Sequence, residues 1–285
     1  MVTKKRKILV TGATGIVGSY IASTFPKDTL LLTSRDTMDI TDKRTVMGVF
    51  DSFQPTTVIH LAAKTNVDEC EKDTEDAHLV NGLGTQHIAE GCNAANATLI
   101  YISTGAVFNG KKKFYTEKDK PSPVNVYGRT KLFGEKAVQK LVKDYIIIRA
   151  GWIVGGPGKE KKFLSHIMKQ VRDGVKEIHV INDTFGTLTY AKELANYMKF
   201  LLDTNKKGIY HYGSEGICSR YDIAQHLIHL LQTDIAVIPV PSDFFANKFF
   251  APRPAREVIR SIKLPKEYSS EWRQSLTSYI MNELL

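Results

Sequence analysis

Tyr127 and Lys131 lie four residues apart in "NVYGRTKLFGEKAV" (125–138), a stretch with helical spacing. On a helix this sets both side chains on one face, one turn from each other. A phenol beside an ammonium is an acid with its activator. Tyr-x-x-x-Lys is also a common feature of plain helix surface, so the pair alone leaves both readings open. Two further groups bear on the choice. Gly12, Gly15 and Gly18 recur at every third position of "TGATGIVG". That spacing permits a tight strand-to-helix turn and brings backbone N–H groups close to a phosphate. Ser103 and Thr104 end the apolar run "ATLIYIST" (97–104), where a hydroxyl either caps the next turn or holds a substrate carbonyl oxygen.

The elements that would position these residues follow from periodicity. "KILVTG" (7–12), "TLLLTS" (29–34), "TTVIHLAA" (56–63), "ATLIYIST" and "DYIIIRAG" (144–151) are short apolar runs, as expected of strands buried on both faces. Helical patterns separate them at "IVGSYIASTF", at 69–96 and at the Tyr127 segment. Alternating strands and helices predict an α/β fold, a Rossmann-type doubly wound parallel sheet with ligands beyond its carboxyl ends. The dinucleotide-binding domain is expected over 1–151. Residues 152–285 are expected to form mainly a smaller C-terminal α/β lobe for substrate, with some segments returning to the Rossmann core.

At the carboxyl ends the expected cofactor contacts are Gly12, Gly15 and Gly18 with Thr14, Ile16 and Val17 of the same loop. "TSRD" follows the second strand. There Ser34 and Arg35 precede Asp36, and an arginine suits a ribose 2′-phosphate. NADP(H) is therefore favoured, with NAD(H) admissible. Asp39 and Ile40 either flank the adenine, Asp39 accepting from its exocyclic amine, or form an ordinary turn. Ala62 and Ala63 in "HLAAKTNVDECE" are small enough to leave room for the cofactor backbone, with Leu61 and Thr65 beside them. Ser103 joins this set from the neighbouring strand.

Composition narrows the class. The 285 residues are 42% hydrophobic and carry a net charge of +9, with basic clusters at "KKRK", "KKK" (111–113) and "KEKK" (159–162). Such runs are usually solvated surface, and they favour a polyanionic ligand through the summed field. No nucleic-acid module is recognisable. No apolar run reaches the roughly 20 residues of a membrane span, and strand-like "ILVTG" rather than a signal-peptide core follows the basic start. Cys70, Cys92 and Cys218 are odd in number and dispersed, which suggests neither a disulfide framework nor a zinc site. The expectation is a cytoplasmic protein. His226 and His229 stand three apart in an apolar helical stripe and are not read as ligands, so no protein metal site is expected.

"TGATGIVG", "DITD", "HLAAKTNVDECE", "STGAVFNG", "NVYGRTKLFGEKAV", "IIIRAGWIVGG", "NDTFGTLT" and "APRP" occur in the order seen in extended short-chain dehydrogenases/reductases. Together they resemble the dTDP-4-dehydrorhamnose reductase family over nearly the whole chain, Lys7 to Trp272. The resemblance implies that Tyr127 is the acid/base and that Lys131 lowers its pKa and holds the nicotinamide ribose. It implies that Thr104 orients the carbonyl and that Trp152 lines the sugar pocket. The chemistry is coherent: an alkoxide formed at a ketone carbon needs a proton donor within reach and hydrogen bonds as its charge develops. Arg253 in "APRPAR" is a candidate clamp for a diphosphate, assisted by Arg256 or the "KEKK" lysines.

The chain also departs from the family pattern. Gly105 and Ala106 stand where the family usually has Asp-Tyr after the threonine, which puts the particular keto sugar in doubt and makes Gly105 a substrate-side position of interest. Gly186-Thr187-Leu188-Thr189 lacks the family's proline. Dehydratases of the wider family carry acidic residues after this threonine, so their absence argues against dehydration. The resemblance implies reduction of the 4-keto group of a nucleotide-diphosphate deoxysugar, most plausibly dTDP-4-dehydro-L-rhamnose. A sugar-nucleotide epimerase is the nearest alternative. A non-catalytic NADP-binding regulatory subunit, like the methionine adenosyltransferase beta subunit, is the alternative from another class. The expected partner is the nucleotide sugar, with a homodimer admissible and neither nucleic acid nor membrane expected. Magnesium accompanies some reductases of this type, and no site is assigned to it.

Overall fold

The computed structural model describes residues 5–156, 158–159 and 163–285. Its central layer is a six-stranded sheet built from β1 (Lys7–Thr11), β2 (Thr29–Leu32), β3 (Thr57–His60), β4 (Thr98–Thr104), β5 (Tyr145–Ala150) and the later strand Gly208–Tyr212. The order across the sheet is Gly208–Tyr212, β5, β4, β3, β1, β2, and all five pairings are parallel. Parallel strands buried on both faces need no polar alternation, and Ile8, Leu9, Val10, Val58, Ile59 and Ile146 to Ile148 are all fully buried. The chain steps from β1 outward to β2 and then back across β1 to β3. That reversal opens a crevice at the carboxyl ends of β1 and β3.

Several elements differ from the sequence reading. Gly208–Tyr212 lies beyond 152, yet pairs with β5 and extends the main sheet. The helical stretch 69–96 is broken into Val67–Lys72, Thr74–His78, a wide π-turn Leu79–Gly84 and Thr85–Ala95. Asp73 ends the first piece and caps the second through Asp76 N. The segment after β1 shortens to a 3-10 turn, Gly18–Tyr20, and one α-turn, Ile21–Thr24.

The remaining chain forms small sheets beside the carboxyl edge. Trp152–Val154 pairs with Leu188–Tyr190, and Glu177–Ile181 with Ala236–Val240. Phe185–Gly186 lies between Cys218–Ser219 and Arg256–Glu257. Cys70, Cys92 and Cys218 are buried free thiols. Among the described residues no helix is long and apolar enough to cross a membrane.

Candidate active site

The glycine loop leaves β1 at Gly12, whose φ of +65° is a left-handed conformation that glycine adopts without strain. A Cβ there would lie 2.6 Å from Ala62 N, so the loop passes directly against the end of β3. Gly18 is equally constrained, with Ala13 O 2.4 Å from its missing Cβ. Gly15 differs: its missing Cβ would meet only Gly12 O, at 3.3 Å, and with Thr14 it faces solvent. Among the described residues, the amides of Thr14, Ile16 and Val17 donate to no backbone carbonyl outside regular elements. An open glycine among available N–H groups fits a phosphate. Because the following helix is one turn long, these amides and not a helix macrodipole supply the attraction.

The rest of the expected cofactor set divides. Arg35 is 79% exposed at the end of β2, 3.7 Å from Asp39, and remains accessible to a phosphate. Asp39 accepts from the amide and hydroxyl of Thr41 at 2.9 and 2.8 Å, the local turn that was the alternative to an adenine contact. Ser34 donates its amide to Thr37 Oγ1. Ile40 and Val17 are buried in the two core clusters. Leu61, Ala62 and Ala63 are half-buried at the rim and Thr65 is exposed.

Asn125 opens the helix Val126–Leu141 by accepting from Gly128 N. Gly128 and Gly134 let that helix lie close on the sheet, with Ala106 O 2.3 Å and Tyr101 Oη 2.5 Å from their missing Cβ atoms. Tyr127 is half-buried, with the Thr104 side chain beside its hydroxyl. Thr104 Oγ1 also accepts from Ala106 N at 3.1 Å. One turn on, Lys131 is 3% exposed, its Nζ 4.1 Å above the ring of Tyr101. His60 stacks on that ring at 5.5 Å. Burial, together with the Lys131 charge, holds His60 neutral with a pKa of about 3.

Proton affinities run opposite to one expectation. Burial pushes the Tyr127 hydroxyl up, with the Thr104 hydrogen bond opposing; Lys131 does not pull it toward neutrality. The reason lies in the lysine, whose own ammonium is desolvated, bringing its pKa down to about 7 against the support of Glu135. Tyr127 is thus held protonated, as a proton donor must be.

Strand alternation separates the two expected hydroxyls. Thr104 meets Tyr127, whereas Ser103 is 3% exposed and donates to Glu135 Oε1 at 2.5 Å, so its hydroxyl serves the buried core and not the cleft. Arg149, in register with Ser103 on β5, binds both oxygens of Glu135 at 2.9 and 2.7 Å. Asn81 anchors the π-turn, accepting from Lys64 N and donating to Lys64 O and Thr130 Oγ1. Glu135 and Asn81 were not singled out from sequence. The acid at i+4 from Lys131 on the buried face was the available signal for Glu135.

On the substrate side, Arg253 pairs with both oxygens of Asp68 and donates to Ala251 O. Its fork is paired with Asp68 at the surface, so a diphosphate would have to compete with that carboxylate. Trp152 donates from Nε1 to Glu257 Oε2 at 3.1 Å, and the Arg220 guanidinium lies 4.0 Å over its ring. Gly105 is buried against the strand carrying Glu257, Glu257 O lying 3.4 Å from its missing Cβ. A carboxyl acid therefore does stand near Tyr127, supplied by a strand 130 positions away in number (257 − 127). Of "KEKK", Glu160, Lys161 and Lys162 lie outside the described residues. Among the described residues no group of acids, histidines and cysteines is arranged to hold a metal.

Residues 6–284 match the RmlD substrate binding domain family. The chain is 34% identical over 280 residues to the Bacillus subtilis spore coat polysaccharide biosynthesis protein SpsK, covering 96% of each. It is 35% identical over 252 residues to a dTDP-4-keto-6-deoxy-D-glucose reductase of Streptomyces niveus, covering 86% of each. The crystal structure of Bacillus anthracis dTDP-4-dehydrorhamnose reductase in complex with NADP superimposes with a TM-score of 0.92 at 28% identity, covering 98% of this chain and 99% of the other.

Proposed function

The chain belongs to the RmlD substrate binding domain family, and we propose that it reduces the 4-keto group of a dTDP-deoxysugar with NAD(P)H, dTDP-4-dehydro-L-rhamnose being the first candidate. The observation that carries this reading is the Tyr127 hydroxyl beside the Thr104 side chain, one helical turn from a buried Lys131. The loop of Gly12, Thr14, Gly15 and Ile16 would hold the cofactor diphosphate, and the accessible Arg35 favours a 2′-phosphate, hence NADPH.

When bound, the nicotinamide supplies a hydride to the carbonyl carbon. The protein's part is to hold the carbonyl oxygen between Thr104 and Tyr127 and to donate a proton from the Tyr127 hydroxyl as charge develops there. Lys131 would hold the nicotinamide ribose. Glu135, pinned by Arg149 and Ser103, fixes the helix carrying both residues. The direct test is oxidation of NADPH and NADH by the purified protein with enzymatically generated dTDP-4-dehydro-L-rhamnose and dTDP-4-keto-6-deoxy-D-glucose. Turnover of neither sugar with either cofactor would overturn the reading.

The state of Lys131 makes a further prediction. With a pKa of about 7, it is mostly neutral at pH 8 and mostly charged at pH 6. Ribose hydroxyls accepting from its ammonium favour the charged form and raise that pKa. Cofactor binding should therefore take up a proton at pH 8 and almost none at pH 6. Calorimetry in two buffers of different ionisation heat reads this directly. Lys131→Met should abolish the uptake, and an unchanged uptake in that variant would place the titrating group elsewhere.

A further inference from the structure

Glu257 is a carboxylate with little to hold it. It stands half-buried on the two-residue strand that pairs with Phe185–Gly186. Among the described residues it makes no ion pair, and its hydrogen-bond donor is the indole of Trp152. Burial pushes its carboxyl up, with the Trp152 indole and the charges of Arg220 and Arg253 opposing. An acid packed this closely without a cationic partner is costly in a fold that needs it only for packing. The site around it is built: the Trp152 ring lies flat in the space left by Gly186, whose missing Cβ would be 2.4 Å from the indole. The carboxylate accepts from the edge of that ring, so its position is set. The strand bearing it backs directly on Gly105, the residue after Thr104, and its charge is felt at Tyr127. If Thr104 and Tyr127 hold the carbonyl oxygen, the group next to that carbonyl falls toward Gly105 and Glu257.

We propose that Glu257, oriented by Trp152, binds the sugar hydroxyl vicinal to the reacting carbonyl and so selects keto sugars that carry it. The proposal rests on the keto-sugar reductase reading above. A carboxylate suits the task because it only accepts, so it pairs with a hydroxyl donor and disfavours a sugar with hydrogen at that carbon, where the acceptor facing the sugar has no donor to meet. The same position explains how a cleft with glycine at 105 still presents an acid to the substrate: it comes from the facing strand.

The test compares dTDP-4-keto-6-deoxyglucose with its 3-deoxy counterpart as substrates for the wild-type protein, Glu257→Gln and Glu257→Ala. The wild type should prefer the 3-hydroxy sugar roughly 10- to 100-fold in kcat/KM, as a charge-assisted hydrogen bond gives. Glu257→Ala should lose most of that preference, chiefly by a drop on the 3-hydroxy sugar, with NADPH affinity unchanged. Glu257→Gln, which keeps the acceptor for Trp152, should retain part of it. A preference undiminished in Glu257→Ala overturns the proposal. So does an equal loss on both sugars, which would mark a structural role. Absence of wild-type turnover on both sugars, and on dTDP-4-dehydro-L-rhamnose, would instead remove the reductase reading on which the proposal rests.

Discussion

Tyr127→Phe is expected to lower kcat for keto-sugar reduction by about 10²- to 10⁴-fold, the range for removing a positioned general acid, while NADPH binds as before. Phenylalanine keeps the ring that packs on the Cys70, Ala77 and Val126 cluster, so the helix should stay in place. What disappears is the hydroxyl that faces Thr104. Thr104 remains, so some alignment of the carbonyl survives and turnover should be slow rather than absent. Burial holds the Tyr127 hydroxyl protonated, so the wild-type rate should not be limited by its ionisation at neutral pH. Steady-state kinetics with a parallel fluorescence titration of NADPH separates the two effects. A rate within a few-fold of wild type would show that the proton comes from another group, and a lost cofactor affinity would show that the ring itself shapes the cofactor site.

Glu135→Ala is expected to destabilise the fold by about 3–5 kcal/mol, the usual cost of leaving one buried charge without its partner. Glu135 is 1% and Arg149 2% exposed, and Arg149 Nη1 is buried without a hydrogen-bond partner. Among the described residues Arg149 pairs with no carboxylate other than Glu135. Ser103 would lose its acceptor as well. Denaturant unfolding of the two proteins measures the difference. The paired substitution of Glu135 by Leu and Arg149 by Met should recover most of the loss, because an apolar pair of similar volume needs no counter-charge. Activity is expected to fall in Glu135→Ala even where it remains folded, since the same carboxylate anchors the helix bearing Tyr127 and Lys131. A loss below about 1 kcal/mol would put the pair in the class of surface ion pairs and remove that anchoring role.

The features readable along the chain were those governed by near neighbours. Apolar runs located β1 to β5, because a strand buried on both faces must be apolar throughout; β2 departs from that expectation, lying at the sheet edge with Thr29 and Leu32 exposed. The glycine triplet located the loop at Gly12 because backbone turning and close approach are local demands. The four-residue spacing of Tyr127 and Lys131 put both on one helical face for the same reason. Local spacing could not divide the labour between Ser103 and Thr104, which are adjacent yet point to opposite sides of β4. It could not show that Arg253 is taken up by Asp68, 185 residues earlier, nor that Gly208–Tyr212 returns to the main sheet.

The Tyr-Lys helix, the phosphate loop and the parallel sheet are thus written in residue types and periods of two to four positions. Whether an ionisable side chain is an anchor, a ligand or a proton donor was decided by which distant strand or helix its charge faces. Glu257 reaches Trp152 across 105 residues, and Glu135 meets Arg149 and Ser103 only when its helix docks across β4 and β5. Desolvation and Coulomb attraction depend on distance in space, and distance in space is set by the packed sheet and not by order along the chain.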